Sequence, residues 1–271
     1  MLNKEIKYNP ESYFYYSDLQ RVFSERALSK FSFVGNESIL DVGSGDGKVT
    51  VSLSFRVPEG KVLGVDTSWP MLSFAKTKYP EKIYPNLSFI HSKNSDLSDL
   101  ELSSKFDIFV SFNVLHLVSD IKAILSRLYT VLKPGGKFLV TLPSIMDTIH
   151  LNTFVKLSFK YKLPVFDYKV LESNNIIDIR QQDGAEALFK DAGFKDLSVN
   201  LIKTRYVFID VKEFMNWSKG TSPYDLGLKK ENEFTFYLDF IREYIVLDPD
   251  AAGLNNEFIP ISNHILIKGT K

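Results

Sequence analysis

The sequence predicts an α/β fold with a doubly wound, mostly parallel sheet and a helical cap. Between Asn36 and Pro143, short apolar runs rich in β-branched residues alternate with segments of helical period. A glycine-rich turn joins the first of these runs to the helix that follows it. After Pro143 the alternation stops and aromatic segments take its place. This change of pattern predicts that the cap follows the core of the sheet.

Five strands and three helices are predicted in the first half of the chain. The strands are short apolar runs bounded by turn residues, at Ser38–Val42, Lys61–Asp66, Leu87–His91, Phe106–Phe112 and Gly136–Leu142. The helices between them are Gly47–Phe55, Pro70–Tyr79 and Ile121–Leu132. Lys133-Pro-Gly-Gly136 is expected to end the third helix. The polar stretch 92–105 has only a weak helical pattern.

The second half is predicted to cover the core and complete the sheet. Residues 154–162 are aromatic and basic, and they predict an inserted cap helix. Further helices are expected at Ala185–Asp191 and Glu231–Leu247, and strands at Leu197–Ile209 and Phe258–Lys268. We predict a single domain over residues 1–271, made of an N-terminal helical lid (1–35), a core (36–143), a cap insertion (144–183) and a C-terminal part (184–271).

Composition excludes several classes of protein. Lys and Arg together number 33 and so do Asp and Glu, so no net positive charge attracts a nucleic-acid backbone. Cysteine is absent, which excludes disulfide scaffolds and thiolate nucleophiles. No apolar run reaches the roughly 18–20 residues that cross a bilayer. We therefore expect a cytoplasmic protein without a nucleic-acid or membrane partner and without a metal.

The strongest motif is the buried strand that runs into Asp41-Val-Gly-Ser-Gly-Asp-Gly47. Glycines at such a turn allow positive φ angles and a close approach of the backbone to a ligand. Asp66 ends the next strand, where a carboxylate accepts hydrogen bonds from the two hydroxyls of a ribose. Asp41 beside the loop repels a pyrophosphate and favours a cationic ligand. This contrast favours S-adenosylmethionine over NAD as the adenosine cofactor.

With these motifs the sequence resembles the class I methyltransferase family. Val62–Asp66 resembles its ribose-binding strand, Phe106–His116 its fourth strand, and Leu132–Gly136 with Phe138-Leu-Val its fifth. The resemblance implies a Rossmann-like sheet with an antiparallel last strand. It also implies the residues that hold the cofactor: Asp41, Gly43, Ser44, Gly45, Gly47, Asp66, Thr67, Ser68, Met71, Asn94, Ser95, Ser111 and Tyr13.

One position departs from that family. After its third strand the family usually carries an Asp that reads the adenine amino group, whereas this chain has Ser92-Lys-Asn-Ser95. A lysine cannot accept that hydrogen bond. The adenine contacts are therefore expected from Asn94, Ser95 or backbone groups.

Two short segments resemble a narrower group, the trans-aconitate methyltransferase-like proteins. They are Tyr8-Asn-Pro-Glu-Ser-Tyr13 and Trp217-Ser-Lys-Gly-Thr221. Juvenile hormone acid methyltransferases share part of this layout, and both groups methylate carboxylates. The resemblance therefore implies a small carboxylate acceptor. The segment Pro260–His264 lacks the basic residue that those enzymes tend to place after the proline, which argues against a tricarboxylate.

A carboxylate acceptor needs a cation to bind it and no general base. Arg205, Arg180 and Arg21 are the candidate anchors, each with a surface salt bridge as the alternative role. His116 follows the fourth strand and is a candidate base for an amine or phenol acceptor. Two other functions remain open from the sequence: a non-catalytic protein that binds the cofactor, and an NAD-dependent oxidoreductase.

Overall fold

Seven strands form one sheet across the molecule. The computed structural model describes residues 8–102, 105–144, 148–163, 179–221 and 226–271. In chain order the strands are β1 (Ser38–Val42), β2 (Lys61–Asp66), β3 (Leu87–His91), β4 (Phe106–Phe112), β5 (Leu132–Pro143), β6 (Lys195–Arg205) and β7 (Ile261–Thr270). Their order in the sheet is β3-β2-β1-β4-β5-β7-β6.

The sheet is parallel from β3 to β5, and β7 then runs antiparallel between β5 and β6. The predicted Rossmann-like fold with an antiparallel last strand is therefore confirmed. The carboxyl ends of β1, β2 and β4 meet at one edge of the sheet. In doubly wound sheets this edge is where ligands bind.

Helices cover both faces of the sheet and one of its ends. In chain order they are α1 (Pro10–Tyr16), α2 (Asp18–Leu28), α3 (Lys48–Arg56), α4 (Trp69–Lys78), α5 (Ile121–Val131), α6 (Thr148–Lys160), α7 (Gln182–Asp191), α8 (Val211–Thr221) and α9 (Lys230–Leu247). Local sequence explains where several of them begin. Asn9 caps α1 by accepting the Ser12 N–H at 2.9 Å, and Pro10 is its first residue.

Two apolar layers hold helices to the sheet. One face packs α2, α3 and α4 against the strands through side chains such as Leu28, Leu53 and Leu72. The opposite face packs α5 and α7, and there the ring of Phe138 stacks on Phe109 and on Phe189. Both layers consist of fully buried side chains, so the strand ends between them have a rigid support.

Element boundaries differ from the prediction mainly in the second half. The first four strands have the predicted bounds, whereas β5 begins at Leu132, because this residue pairs with Phe106 across a register shift. Lys133–Gly136 therefore belongs to the strand. The strands predicted at 197–209 and 258–268 occur as β6 (Lys195–Arg205) and β7 (Ile261–Thr270). Phe208 and Phe258 still form an isolated bridge beyond them. Within 92–102, no regular helix or strand forms.

A third apolar cluster, which we call the cap core, lies apart from the sheet. It joins aromatic and aliphatic side chains of α2, α6, α8 and α9, with Phe214, Phe236 and Phe240 among the buried rings. The predicted cap insertion 144–183 is described only in part, because 145–147 and 164–178 lie outside the described residues. Among the described helices, none combines the length and apolar character needed to cross a membrane.

Candidate active site

The glycine turn after β1 is shaped by its backbone. Gly43, Gly45 and Gly47 have φ angles of 78°, 53° and 82°, which L side chains rarely adopt. A Cβ at Gly43 would lie 2.3 Å from a methyl of Val114. The Gly43 N–H donates to the carbonyl of Val65 at 2.7 Å, which ties the turn to the end of β2. The glycines therefore allow the turn to pack closely against Val114 and the end of β2.

A cavity of about 180 Å³ opens beside this turn, and we call it the adenosine cavity. Most of the residues predicted to bind the cofactor line it: Tyr13, Gly43, Gly45, Asp66, Thr67, Ser68, Met71 and Ser95. Leu97, Leu117 and Val118 supply an apolar part of the wall. The cavity thus combines apolar surface with a carboxylate at the end of β2, a combination that fits an adenine and its ribose.

Asp66 is also part of the loop structure. Its Oδ2 accepts the Gly45 N–H at 2.8 Å, and its Oδ1 accepts the Ser68 N–H at 2.8 Å. These bonds hold the carboxylate at the mouth of the glycine turn. Each carboxylate oxygen has a further lone pair, so the same group is able to accept ribose hydroxyls.

A smaller cavity of about 50 Å³ lies on the other side of the turn, and we call it the polar pocket. Asp41, Ser44, Asp46, Lys48 and Arg21 line it. Among the described residues, the buried Oγ of Ser44 and Oδ2 of Asp46 have no hydrogen-bond partner. Such groups normally bind a ligand or water, because leaving them unpaired costs free energy. They fit the amino group of a bound amino acid.

The electrostatics of the two cavities favour a cationic ligand. Burial raises the pKa of Asp41 to about 7, although Thr50 donates to this carboxylate at 2.7 Å; the charges of Asp66 and Asp46 add to the increase. Burial also raises the pKa of Asp46 and of Asp66. Three carboxylates thus line the two cavities, and their hydrogen bonds do not fully offset the effect of burial. A sulfonium and an ammonium, the two positive groups of S-adenosylmethionine, suit this environment.

The N-terminal helices close over the turn. Tyr13 on α1 lines both cavities, and burial raises its pKa, with smaller contributions from the charges of Asp46 and Asp66. Lys48, the first residue of α3, donates to the carbonyl of Phe14 and to Ser17 Oγ, the latter at 3.3 Å. Its ammonium also lies 4.4 Å from the centroid of the Phe14 ring. One side chain after the glycine turn thus anchors α1.

Three predicted cofactor residues lie outside both cavities. A Cβ at Gly47 would meet the rings of Phe89 and Tyr79 at 3.0 Å, so this glycine serves packing. Ser111 is fully buried and donates to the carbonyl of Val42 at 2.9 Å, which joins β4 to β1. Asn94 is exposed and donates to Ser98 Oγ at 2.9 Å. The cofactor roles of these three residues stay predictions.

A group of buried and half-buried polar side chains, the acceptor-side cluster, lies where β4, β5 and β7 meet. Its members are Asn113, His116, Thr141, Arg180 and His264. Strand pairing places Asn113 and His264 on either side of the end of β5: the Asn113 N–H donates to the carbonyl of Thr141 at 2.9 Å, and His264 pairs with Pro143. Arg180 Nε donates to the carbonyl of Pro143 at 3.2 Å.

Several atoms of this cluster have no partner among the described residues. They are Asn113 Oδ1, His116 Nδ1, Thr141 Oγ1 and His264 Nδ1. Burial, together with the smaller effects of the Arg180 and His264 charges, lowers the pKa of His116 to about 3. Burial alone lowers the pKa of His264 to about 4. Both imidazoles are therefore neutral near pH 7.

The other two candidate anchors lie elsewhere. Arg205 is bound to Asp248, with nitrogen–oxygen distances of 3.0 and 3.2 Å, and it also donates to the carbonyl of Ile259. It is a structural residue at the end of β6, and the prediction that it anchors the substrate is not supported. Arg21 lines the polar pocket and pairs with Asp18 at 3.3 Å. Only Arg180 joins the acceptor-side cluster.

Sequence reasoning missed two residues of the site. Asp46 stands inside the glycine motif, where its carboxylate was available as a signal, and it lines the polar pocket. Asn113 lines both cavities and has a φ of 58°, which sequence did not indicate.

Comparison with known proteins agrees with this geometry. A family model described as a methyltransferase domain matches residues 34–208. The juvenile hormone acid O-methyltransferase of Drosophila melanogaster is 26% identical over 228 residues, which cover 82% of this chain and 75% of that protein. The trans-aconitate 2-methyltransferase of Deinococcus radiodurans is 32% identical over 150 residues, 52% of each chain.

A solved structure shares the fold. The phosphoethanolamine N-methyltransferase 2 of Haemonchus contortus, in complex with S-adenosyl-L-methionine, superimposes with a TM-score of 0.59. The two are 17% identical, and the match covers 92% of this chain and 52% of that one. The family match spans well over half of the sequence and contains the glycine turn, whereas Tyr13 and the other N-terminal residues that line the cavities precede it. The chain belongs to the methyltransferase domain family and is an S-adenosylmethionine-dependent methyltransferase.

Proposed function

We propose that this methyltransferase methylates a carboxylate oxygen of a small acidic metabolite. The observation that carries the proposal is the position of Arg180, which lies near enough to His116 for its charge to lower the pKa of that imidazole and which donates to the carbonyl of Pro143. A guanidinium matches a carboxylate in shape and charge, and imidazole and hydroxyl groups donate to its remaining lone pairs. Asn113 belongs both to this cluster and to the wall of the adenosine cavity, so the acceptor would lie next to the cofactor.

Methyl transfer to a carboxylate requires the protein mainly to position the acceptor against the cofactor. S-adenosylmethionine, when bound, supplies an electrophilic methyl group on its sulfonium. A carboxylate is ionised at neutral pH, so no residue has to remove a proton from it. The acceptor-side cluster would hold one carboxylate oxygen in line with that methyl group, and the cap core would keep water away.

The second candidate, an amine or phenol acceptor with His116 as base, has less support. A histidine whose pKa is lowered to about 3 is a weak proton acceptor at pH 7. The N-methyltransferase of Haemonchus contortus shows only that the fold is compatible with nitrogen acceptors, and its identity to this chain is low.

Product analysis with a matched pair of variants tests the proposal. A panel of small acids, amines and phenols is incubated with the cofactor, and methyl esters are identified because alkali releases methanol from them. We expect esters, and we expect Arg180→Met to lower kcat/KM about 100-fold, since a charged pair contributes roughly 2–3 kcal/mol. Arg205→Met is the control, because that guanidinium is bound to Asp248. Alkali-stable products, or equal effects of the two variants, would refute the proposal.

The pH dependence gives a second readout. With cofactor and acceptor both saturating, kcat should be flat between pH 5 and 8, because His116 stays neutral across this range. A fall in kcat around pH 6.5 on acidification would indicate a histidine base and an amine or phenol acceptor.

A further inference from the structure

The adenosine cavity and the polar pocket share one stretch of wall. Five residues line both: Tyr13, Gly43, Gly45, Phe112 and Asn113. The adenosine cavity contains Asp66 and the polar pocket contains Asp41 and Asp46. In S-adenosylmethionine the sulfonium joins the adenosine to the amino-acid part. A cofactor that occupies both cavities therefore brings its positive sulfur to this shared wall.

Asn113 is unusual among these residues. Its φ of 58° is in the left-handed region, which asparagine adopts more readily than other residues with a Cβ. Its backbone N–H is bound to Thr141, and its buried Oδ1 has no partner among the described residues. An unpaired buried acceptor is costly, and such a group normally binds a ligand or water.

We propose that Asn113 distinguishes the charged cofactor from its neutral product. Its side-chain carbonyl oxygen, the negative end of an amide dipole, would face the sulfonium and its polarised methyl group, with the ring of Tyr13 on the same wall. S-adenosylhomocysteine has a neutral sulfur, so this attraction is lost once the methyl group has left. Asn113 thereby favours binding of the cofactor and release of the product. The role concerns the cofactor alone and is independent of which acceptor is methylated.

Binding measurements on two variants test this role. Asn113→Gly removes the side chain while the left-handed backbone remains comfortable, and Asn113→Asp keeps the size and adds a negative charge. Calorimetric titration gives the dissociation constants for S-adenosylmethionine and S-adenosylhomocysteine. We expect the Gly variant to weaken binding of S-adenosylmethionine about tenfold and that of S-adenosylhomocysteine less than twofold. The Asp variant should increase the preference for S-adenosylmethionine.

A control variant separates the side chain from the backbone. Asn255→Gly changes another left-handed asparagine, with a φ of 55°, on an exposed segment outside both cavities, and it should bind both ligands as wild type does. Equal weakening of the two ligands by the Asn113 variants would overturn the proposal, because it would indicate a purely structural role. So would unchanged binding of both ligands together with lost turnover, since Asn113 would then act on the acceptor. If Asn113→Gly fails to fold, the isosteric Asn113→Asp variant still gives the ratio of the dissociation constants for S-adenosylhomocysteine and S-adenosylmethionine.

Discussion

Asp41 is destabilising in the protein without its ligand. Its carboxylate is buried, and Thr50 donates one hydrogen bond to it at 2.7 Å. The pKa of about 7 is well above the ordinary value of 3.8. The folded protein therefore holds a proton at Asp41 between about pH 4 and 7, where the unfolded chain has released it. Folding stability contributed by this proton is present at low pH and is lost as the pH rises through 7.

Replacing this carboxylate should stabilise the ligand-free protein. We expect Asp41→Asn to be more stable than wild type at pH 8, by on the order of 2 kcal/mol, and similar to it near pH 4. Thermal unfolding at the two pH values measures this difference. The same variant should bind S-adenosylmethionine more weakly, since one of the three carboxylates is removed.

Asp99→Asn is the control for that comparison. Asp99 is exposed, and hydrogen bonds from Ser92 and Lys93 lower its pKa. The ionised Asp99 carboxylate therefore stabilises the fold above its ordinary pKa. Asp99→Asn should not raise the free energy of unfolding at pH 8. If Asp41→Asn also brings no gain, the buried carboxylate is better compensated than the structure indicates.

Residues within the glycine motif were predictable, because their spacing reflects a local turn. Asp41, Gly43, Gly45 and Asp66 lie where the sequence indicated. Arg180 and Asn113 were harder to assign, because their roles depend on β4, β5 and β7 meeting at one edge. Ser111 instead donates to the carbonyl of Val42, a contact that residue spacing along one strand does not reveal.

At the scale of elements, α1 connects the cofactor site with the cap core. A Cβ at Gly220 of α8 would lie 3.0 Å from Tyr16 Cβ and 3.1 Å from the carbonyl of Ser12. The absence of a side chain at Gly220 thus lets α1 rest directly on α8. This contact gives a physical reason for the glycine in the Trp217–Thr221 segment. Lys48 supplies the second attachment of α1, from the opposite side.

Removal of the Lys48 attachment should loosen α1. We expect Lys48→Met to increase amide hydrogen exchange in residues 10–16 and to weaken binding of S-adenosylmethionine about three- to tenfold, since Tyr13 lines both cavities. Hydrogen-exchange mass spectrometry and titration measure the two effects.

Lys78→Met is a close control for this variant. The ammonium of Lys78 lies 4.8 Å from the centroid of the same Phe14 ring, but no hydrogen bond joins Lys78 to α1 within the described part of the chain. Lys78→Met should therefore change amide hydrogen exchange in residues 10–16 only slightly. Equal effects of the two variants would show that the ring contact, and not the hydrogen bonds of Lys48, holds α1.

At the scale of the whole molecule, the described residues form three apolar clusters. The two that flank the sheet are those that the predicted doubly wound sheet requires, with helices on both of its faces. The cap core was only partly predictable, because its rings come from segments as distant as Phe23, Phe214 and Phe258. Local periodicity does not reveal which aromatic residues meet over such separations. The division of the single domain into lid, core, cap and C-terminal part stays a prediction.

The cap core should be sensitive to one central ring. Phe214 is 2% exposed and contacts the rings of Phe208, Trp217, Tyr237, Phe240 and Phe258. We expect Phe214→Ala to lower the free energy of unfolding by about 3–5 kcal/mol. Urea denaturation followed by circular dichroism measures it. Phe55→Ala, at a ring that is 70% exposed, should cost under about 1 kcal/mol. A small loss at Phe214 would mean that the cap core is loosely packed.

The position of β7 between β5 and β6 has a consequence for how the protein is made. Arg205 at the end of β6 pairs with Ile261 at the start of β7. During synthesis β6 therefore leaves the ribosome long before the strand that links it to the sheet. Until β7 arrives, both β5 and β6 present unpaired edges that are able to pair with other chains. The nascent protein thus passes through a stage at which chaperone binding would matter more than it does for the finished enzyme.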